Sequence, residues 1–89
     1  MEQSELLKLV GEVIGDLQEL NGFARQPISE SDTPFDGTQE LDSLNALEAE
    51  AELAAKLNLP TKTKKLAAIR NSKLPIGEAV RRIAAELPL

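Results

Sequence analysis

The chain has 89 residues, 42% of them apolar, a formal net charge of −5, and Phe23 and Phe35 as its only aromatics. It contains no cysteine and no histidine. This excludes a disulfide framework and a thiolate or imidazole metal site, and leaves no side chain ordinarily poised for proton transfer near neutral pH. No stretch reads as a membrane span, and Met1-Glu2-Gln3-Ser4-Glu5 lacks the basic start of a signal peptide, so a single cytoplasmic domain over residues 1–89 is expected.

The first predicted element is an amphipathic helix over 4–20. Leu6, Val10, Val13, Ile14 and Leu17 recur at the spacing of one buried stripe, and Glu5, Lys8, Glu12, Asp16 and Glu19 fall mainly outside it. Ser4 is its expected N-cap and Asn21-Gly22 its stop. Residues 21–42 show no period and are punctuated by Gly22, Pro27, Pro34 and Gly37, so they read as an ordered crossover, with Phe23, Ile28 and Phe35 available to pin it to a core.

A second helix is predicted over 43–58, capped by Asp42 and ended by Pro60. Leu44, Leu47, Ala51, Ala54 and Ala55 fill one side, Ala46, Ala49, Leu53 and Leu57 extend the apolar surface around the back, and so narrow a wet face predicts a helix at the centre of the bundle. Asn45, Glu48, Glu52 and Lys56 form the expected wet sector, and Glu50 is a misfit placed at its edge. Residues 61–72 are basic and hold one turn of apolar spacing, Leu66 and Ile69, which predicts a short helix. Asn71-Ser72 breaks it. Pro75 suits the first turn of a last helix whose stripe is Ile76, Val80, Ile83, Ala84 and Leu87, and Pro88 stops that helix. The expected fold is all-α: a small bundle of three main helices and one short helix, with a long crossover between the first two.

Charge is divided along the chain. Residues 1–60 carry 13 acids and three bases, net −10, whereas residues 61–89 carry two acids and seven bases, net +5. The acidic part suits a partner with a basic docking surface, although two solvated faces of opposite sign explain the same division. Lys62, Lys64 and Lys65, on an acidic protein with few aromatics, make a poor case for nucleic acid.

Ser43 begins the second helix, where its hydroxyl would face solvent. Nothing nearby in sequence would activate it, so it makes a poor nucleophile by the chain's own means and a better target for another enzyme. Taken alone, Asp42-Ser43 is also an ordinary helix start, with Asp capping the free amides. Glu48 and Glu52, one turn apart, read either as a solvated face or as a docking strip with Asp42 at its end.

The run Phe35-Asp36-Gly37-Thr38-Gln39-Glu40-Leu41-Asp42-Ser43-Leu44-Asn45-Ala46-Leu47-Glu48 resembles the attachment region of the acyl carrier proteins, in which a loop Phe precedes Asp-Ser-Leu by a fixed interval and an acidic helix follows. The helix lengths, the long crossover and Leu59-Pro60 are also similar to that family. The resemblance implies that Ser43, flanked by Asp42 and Leu44, carries 4′-phosphopantetheine, whose thiol holds an acyl, aminoacyl or polyketide chain as a thioester. A cysteine-free chain is compatible with this, because the thiol belongs to the cofactor. The implied partners are a phosphopantetheinyl transferase and acyltransferase or synthase enzymes with basic surfaces that dock on Asp42, Leu44, Glu48 and Glu52. The carrier is expected to be a monomer without catalysis of its own, and no nucleic acid, membrane or metal is expected.

Gln39-Glu40-Leu41 stands where the family often has Leu-Gly-Ala, Asn45 replaces a common acid, and the third-helix region is rich in Lys rather than acid. These departures resemble a carrier dedicated to one pathway rather than the housekeeping fatty-acid carrier; the cargo is expected to be an acyl or polyketide chain, with an aminoacyl or peptidyl carrier as an alternative. The rival from another class is a helical protein-interaction module in which Ser43 stays unmodified.

Overall fold

The computed structural model describes residues 1–37, 41–60 and 63–87. Among them are three α-helices, α1 Gln3–Leu20, α2 Ser43–Lys56 and α3 Ile76–Glu86, one 3₁₀ turn at Ala67–Arg70, and no strand. The short helix expected over 61–72 is therefore a single 3₁₀ turn. In that stretch Leu66 and Ile69 are fully buried, with Ala68 packed partly against the core.

α1 follows its sequence pattern: Leu6, Val10, Val13, Ile14 and Leu17 are all buried. Its start differs. Glu2, not Ser4, occupies the N-cap and makes no side-chain capping bond, while the Ser4 hydroxyl donates to the Glu2 carboxylate at 3.2 Å. Its end satisfies the orphan carbonyls locally. Phe23 N–H donates to Gln18 O at 2.9 Å and Gly22 N–H to Glu19 O at 3.0 Å, with Gly22 at φ +85°, a left-handed turn that glycine enters without a Cβ penalty. The same device ends α2. Leu59 N–H reaches Ala54 O at 2.9 Å, Asn58 N–H reaches Ala55 O at 3.3 Å, and Asn58 takes φ +56°. α2 thus stops at Lys56, before Pro60 could break it. The expected stop of α3, Pro88, lies outside the described residues, as do Thr38, Gln39, Glu40 and Lys62.

One apolar core collects residues from every element, including Phe35 and Leu41 of the crossover. Phe35 is 3% exposed and pins the crossover. Phe23, expected to help, is 44% exposed and does not. Ile28, half-buried, packs against the core as expected, and polar contacts also hold the segment. Arg25 donates from Nε to Glu19 Oε1 at 2.9 Å and pairs with Asp16, lying along α1. At the start of α3, Ile76 N–H donates to Asp32 O and Gly77 N–H to Glu30 O, both at 2.8 Å, so crossover carbonyls satisfy amides that helix geometry leaves free. A Cβ on Gly77 would stand 2.6 Å from Glu30 Cβ, so the approach requires glycine there. The amino terminus of Met1 donates to Leu87 O, which ties the start of α1 to the end of α3.

α2 is not the central helix that its narrow polar sector predicts, because only one of its apolar sides is buried. Asn45, Ala46, Ala49, Leu53 and Ala54 are the buried positions. Leu44 and Leu47 are 67% and 51% exposed, and Ala51 and Ala55 are exposed with them. The wheel of this helix carries two apolar stripes, both at legitimate helical spacing, and the one with the smaller side chains faces inward. Its first turn sets that choice. Leu41 and Ala46, the positions before the cap and four residues into the helix, are both buried and fix the angle of entry.

Candidate functional site at the start of α2

Asp42 adopts an extended backbone, and its carboxylate Oδ1 accepts from Leu44 N–H at 3.0 Å and Asn45 N–H at 3.2 Å. Asn45 Oδ1 accepts from Asp42 N–H at 3.0 Å in return, completing a reciprocal cap. Asn45 is therefore a buried structural residue and not part of the wet sector in which it was expected. The pattern Asp-x-x-Asn was the available signal for this. Its Nδ2 also donates to Glu48 Oε1 at 3.2 Å, which orients Glu48 on the exposed surface.

Ser43 sits at the first helical position, exposed, and its hydroxyl makes no hydrogen bond to the described residues. The only carboxylate adjacent in sequence, Asp42, is occupied with backbone amides and does not serve as a base for it. The site presents a hydroxyl on a rigid helix start without a built-in means of activating it. Among the described residues no group of three or more metal-ligating side chains is assembled.

From Ser43, the exposed face of α2 continues through Leu44, Leu47, Ala51 and Ala55, with Glu48 beside it. The expectation that this stripe is core is corrected, because the inward stripe already fills the core. Glu52 also departs from its expected place. It is half-buried and faces Asp16 of α1 rather than open solvent. Burial raises the Glu52 carboxyl above its ordinary range, and its hydrogen bond with Asp16 adds to the rise. Asp16 moves the other way, lowered first by its bond to Arg25 and next by that from Glu52. Glu52 thus keeps its proton to higher pH than an ordinary carboxyl does.

The misfit Glu50 has a partner as well. Arg70 Nε of the 3₁₀ turn lies 2.7 Å from Glu50 Oε2, an ion contact without the alignment of a hydrogen bond. Sequence reasoning missed it because the two residues are far apart in the chain. Asp42, Ser43, Leu44 and Glu48 therefore converge on one exposed surface at the start of α2, while Glu52 lies further along the helix and turned toward α1. Comparison with known proteins finds no matching family model, curated protein or solved structure.

Proposed function

We propose that the chain is a carrier protein of the acyl carrier type, with a bundle of three main helices and one short helical turn, bearing 4′-phosphopantetheine on Ser43. The observation that carries this reading is the exposed, unbonded Ser43 hydroxyl on a helix start locked by the Asp42–Asn45 cap. The surroundings fit such an arm. Leu44 beside the serine is exposed, and attachment displaces no hydrogen bond of the hydroxyl. When attached, the arm supplies the thiol that this cysteine-free chain lacks.

The chain's own residues then serve recognition. Asp42 and Glu48 place negative charge beside Ser43, where exposed charges speed encounter with a basic enzyme surface more than they add affinity. Leu44 and Leu47 offer apolar contact area on the same face. A phosphopantetheinyl transferase would supply the arm from coenzyme A, and acyltransferase or synthase enzymes would load and unload it in a cytoplasmic pathway of fatty-acid, polyketide or aminoacyl type.

The exposed Leu44–Leu47 face also favours a second reading, a helical interaction module whose partner covers that face while Ser43 remains a plain helix residue. Intact mass after incubation with coenzyme A and a broad-specificity transferase separates the two. A gain in wild type that is lost in Ser43→Ala supports the carrier, and an unchanged wild-type mass leaves the module.

A further inference from the structure

Lys64 and Lys65, before the 3₁₀ turn, and Arg82, midway along α3, line one open cavity of about 580 Å³. Ala68, Ile83 and Ala85 supply apolar wall, and Glu86 contributes one carboxylate, so the charged side chains of the cavity sum to +2 on a protein of net charge −5. The neighbouring cations are engaged elsewhere. Arg70 pairs with Glu50, and Arg81 pairs with Glu78. Arg82 donates from Nε to Glu78 Oε1 at 3.4 Å, and Lys64 and Lys65 have no carboxylate partner among the described residues. Two adjacent lysines without a counter-charge gain no stability from their charges, since like charges side by side repel. The fold's own ion pairs therefore leave two lysines unpaired beside one apolar-walled space, which Arg82, shared with Glu78, also lines.

We propose that this cavity binds a doubly charged organic phosphate, its phosphate held by Lys64, Lys65 and Arg82 and its first carbons resting on Ala68 and Ala85. A net charge of +2 matches a phosphomonoester dianion, whereas a carboxylate would neutralise only half of it. Guanidinium and ammonium donors suit phosphate oxygens. The volume lies within the range of small-ligand sites, roughly 300–1,000 Å³. The apolar wall favours an ester over the inorganic ion. The phosphate belongs either to a soluble ester or to a lipid headgroup. The inference uses none of the α2 surface and stands whether or not Ser43 is modified.

The test is a set of ¹H–¹⁵N spectra of the full chain at fixed ionic strength, titrated with butyl phosphate and separately with inorganic phosphate. Flotation with phosphatidylcholine vesicles, with and without phosphatidic acid, runs beside it. Saturable shifts at the amides of residues 64–68 and 82–86, with half-saturation about tenfold lower for butyl phosphate than for inorganic phosphate, are expected from partial burial of its carbons. These shifts should be lost in K64Q/K65Q and in K64Q/K65Q/R82Q, whose remaining spectra should be unchanged. Flotation that requires phosphatidic acid and is lost in the same variants, without butyl phosphate binding, would assign the headgroup as the source. Equal half-saturation for the two phosphates, effects retained in the variants, or no response in either arm would overturn the proposal.

Discussion

Asp42 and Asn45 cap α2 for each other: the Asp42 carboxylate accepts from Asn45 N–H at 3.2 Å, and the Asn45 side-chain oxygen accepts from Asp42 N–H at 3.0 Å. Because Asn45 is buried, an apolar replacement leaves the Asp42 amide without its partner. We expect Asn45→Ala to cost about 1–2 kcal/mol and to slow attachment at Ser43, whose position depends on the same turn. Urea denaturation of both proteins measures the first effect, and an unchanged midpoint would mean that the cap contributes nothing.

The exposed stripe on α2 is tested by substitution at its two leucines. Leu44→Glu and Leu47→Glu should each leave stability within about 0.5 kcal/mol, as exposed positions do, while weakening the complex with any partner that covers this face. A loss of several kcal/mol in denaturation would return these leucines to the core and reverse the setting of α2.

Much of the fold is legible in the chain because its periodic signals have one reading. α1 and α3 each carry one apolar stripe, and Leu6, Val10, Val13, Ile14, Ile76, Val80 and Ile83 are buried as their spacing dictates. α2 has two, so spacing alone leaves its rotation undetermined, and the choice falls to Leu41, Ala46 and the Asp42–Asn45 cap. Of the candidate site, Asp42 as cap and Ser43 as first helical residue were readable. The inward turn of Asn45, the approach of Glu52 to Asp16 and the Glu50–Arg70 contact were not. Each depends on how helices meet, which the periodicity of one segment does not contain.

Phe35 bears on both stability and the site. Its ring is almost fully buried, and we expect Phe35→Ala to lose about 3–5 kcal/mol, a large share of what a domain of this size possesses. The crossover leading into Asp42 loses its anchor with it, so attachment at Ser43 should fall even below the melting temperature. Chemical denaturation beside an attachment assay checks both, and an unchanged midpoint with full attachment would contradict the role assigned to the ring.

The Glu52–Asp16 pair gives a pH dependence of definite sign. The folded state raises the Glu52 carboxyl above its ordinary value of 4.5. Its favourable effect is therefore present below that value and is lost as pH rises through the folded-state value. Asp16 is lowered from 3.8, so its stabilisation is present above that value and is lost as pH falls through the lowered one. Glu52→Gln removes the ionising group and keeps the size of the side chain. It should raise the denaturation midpoint at pH 7, by an amount that shrinks to nothing below about pH 4. A lower midpoint at pH 7 would show that the ionised Glu52 is favourable to the fold.

The central claim is that Ser43 is the residue that carries a covalent arm. Intact mass spectrometry of the chain after incubation with coenzyme A and a broad-specificity phosphopantetheinyl transferase, followed by fragmentation to place any adduct, tests it most directly. We expect a single phosphopantetheine adduct on Ser43, and none in a Ser43→Ala protein with an unchanged far-ultraviolet circular dichroism spectrum. An unmodified wild-type chain, or an adduct that persists in Ser43→Ala, would contradict it.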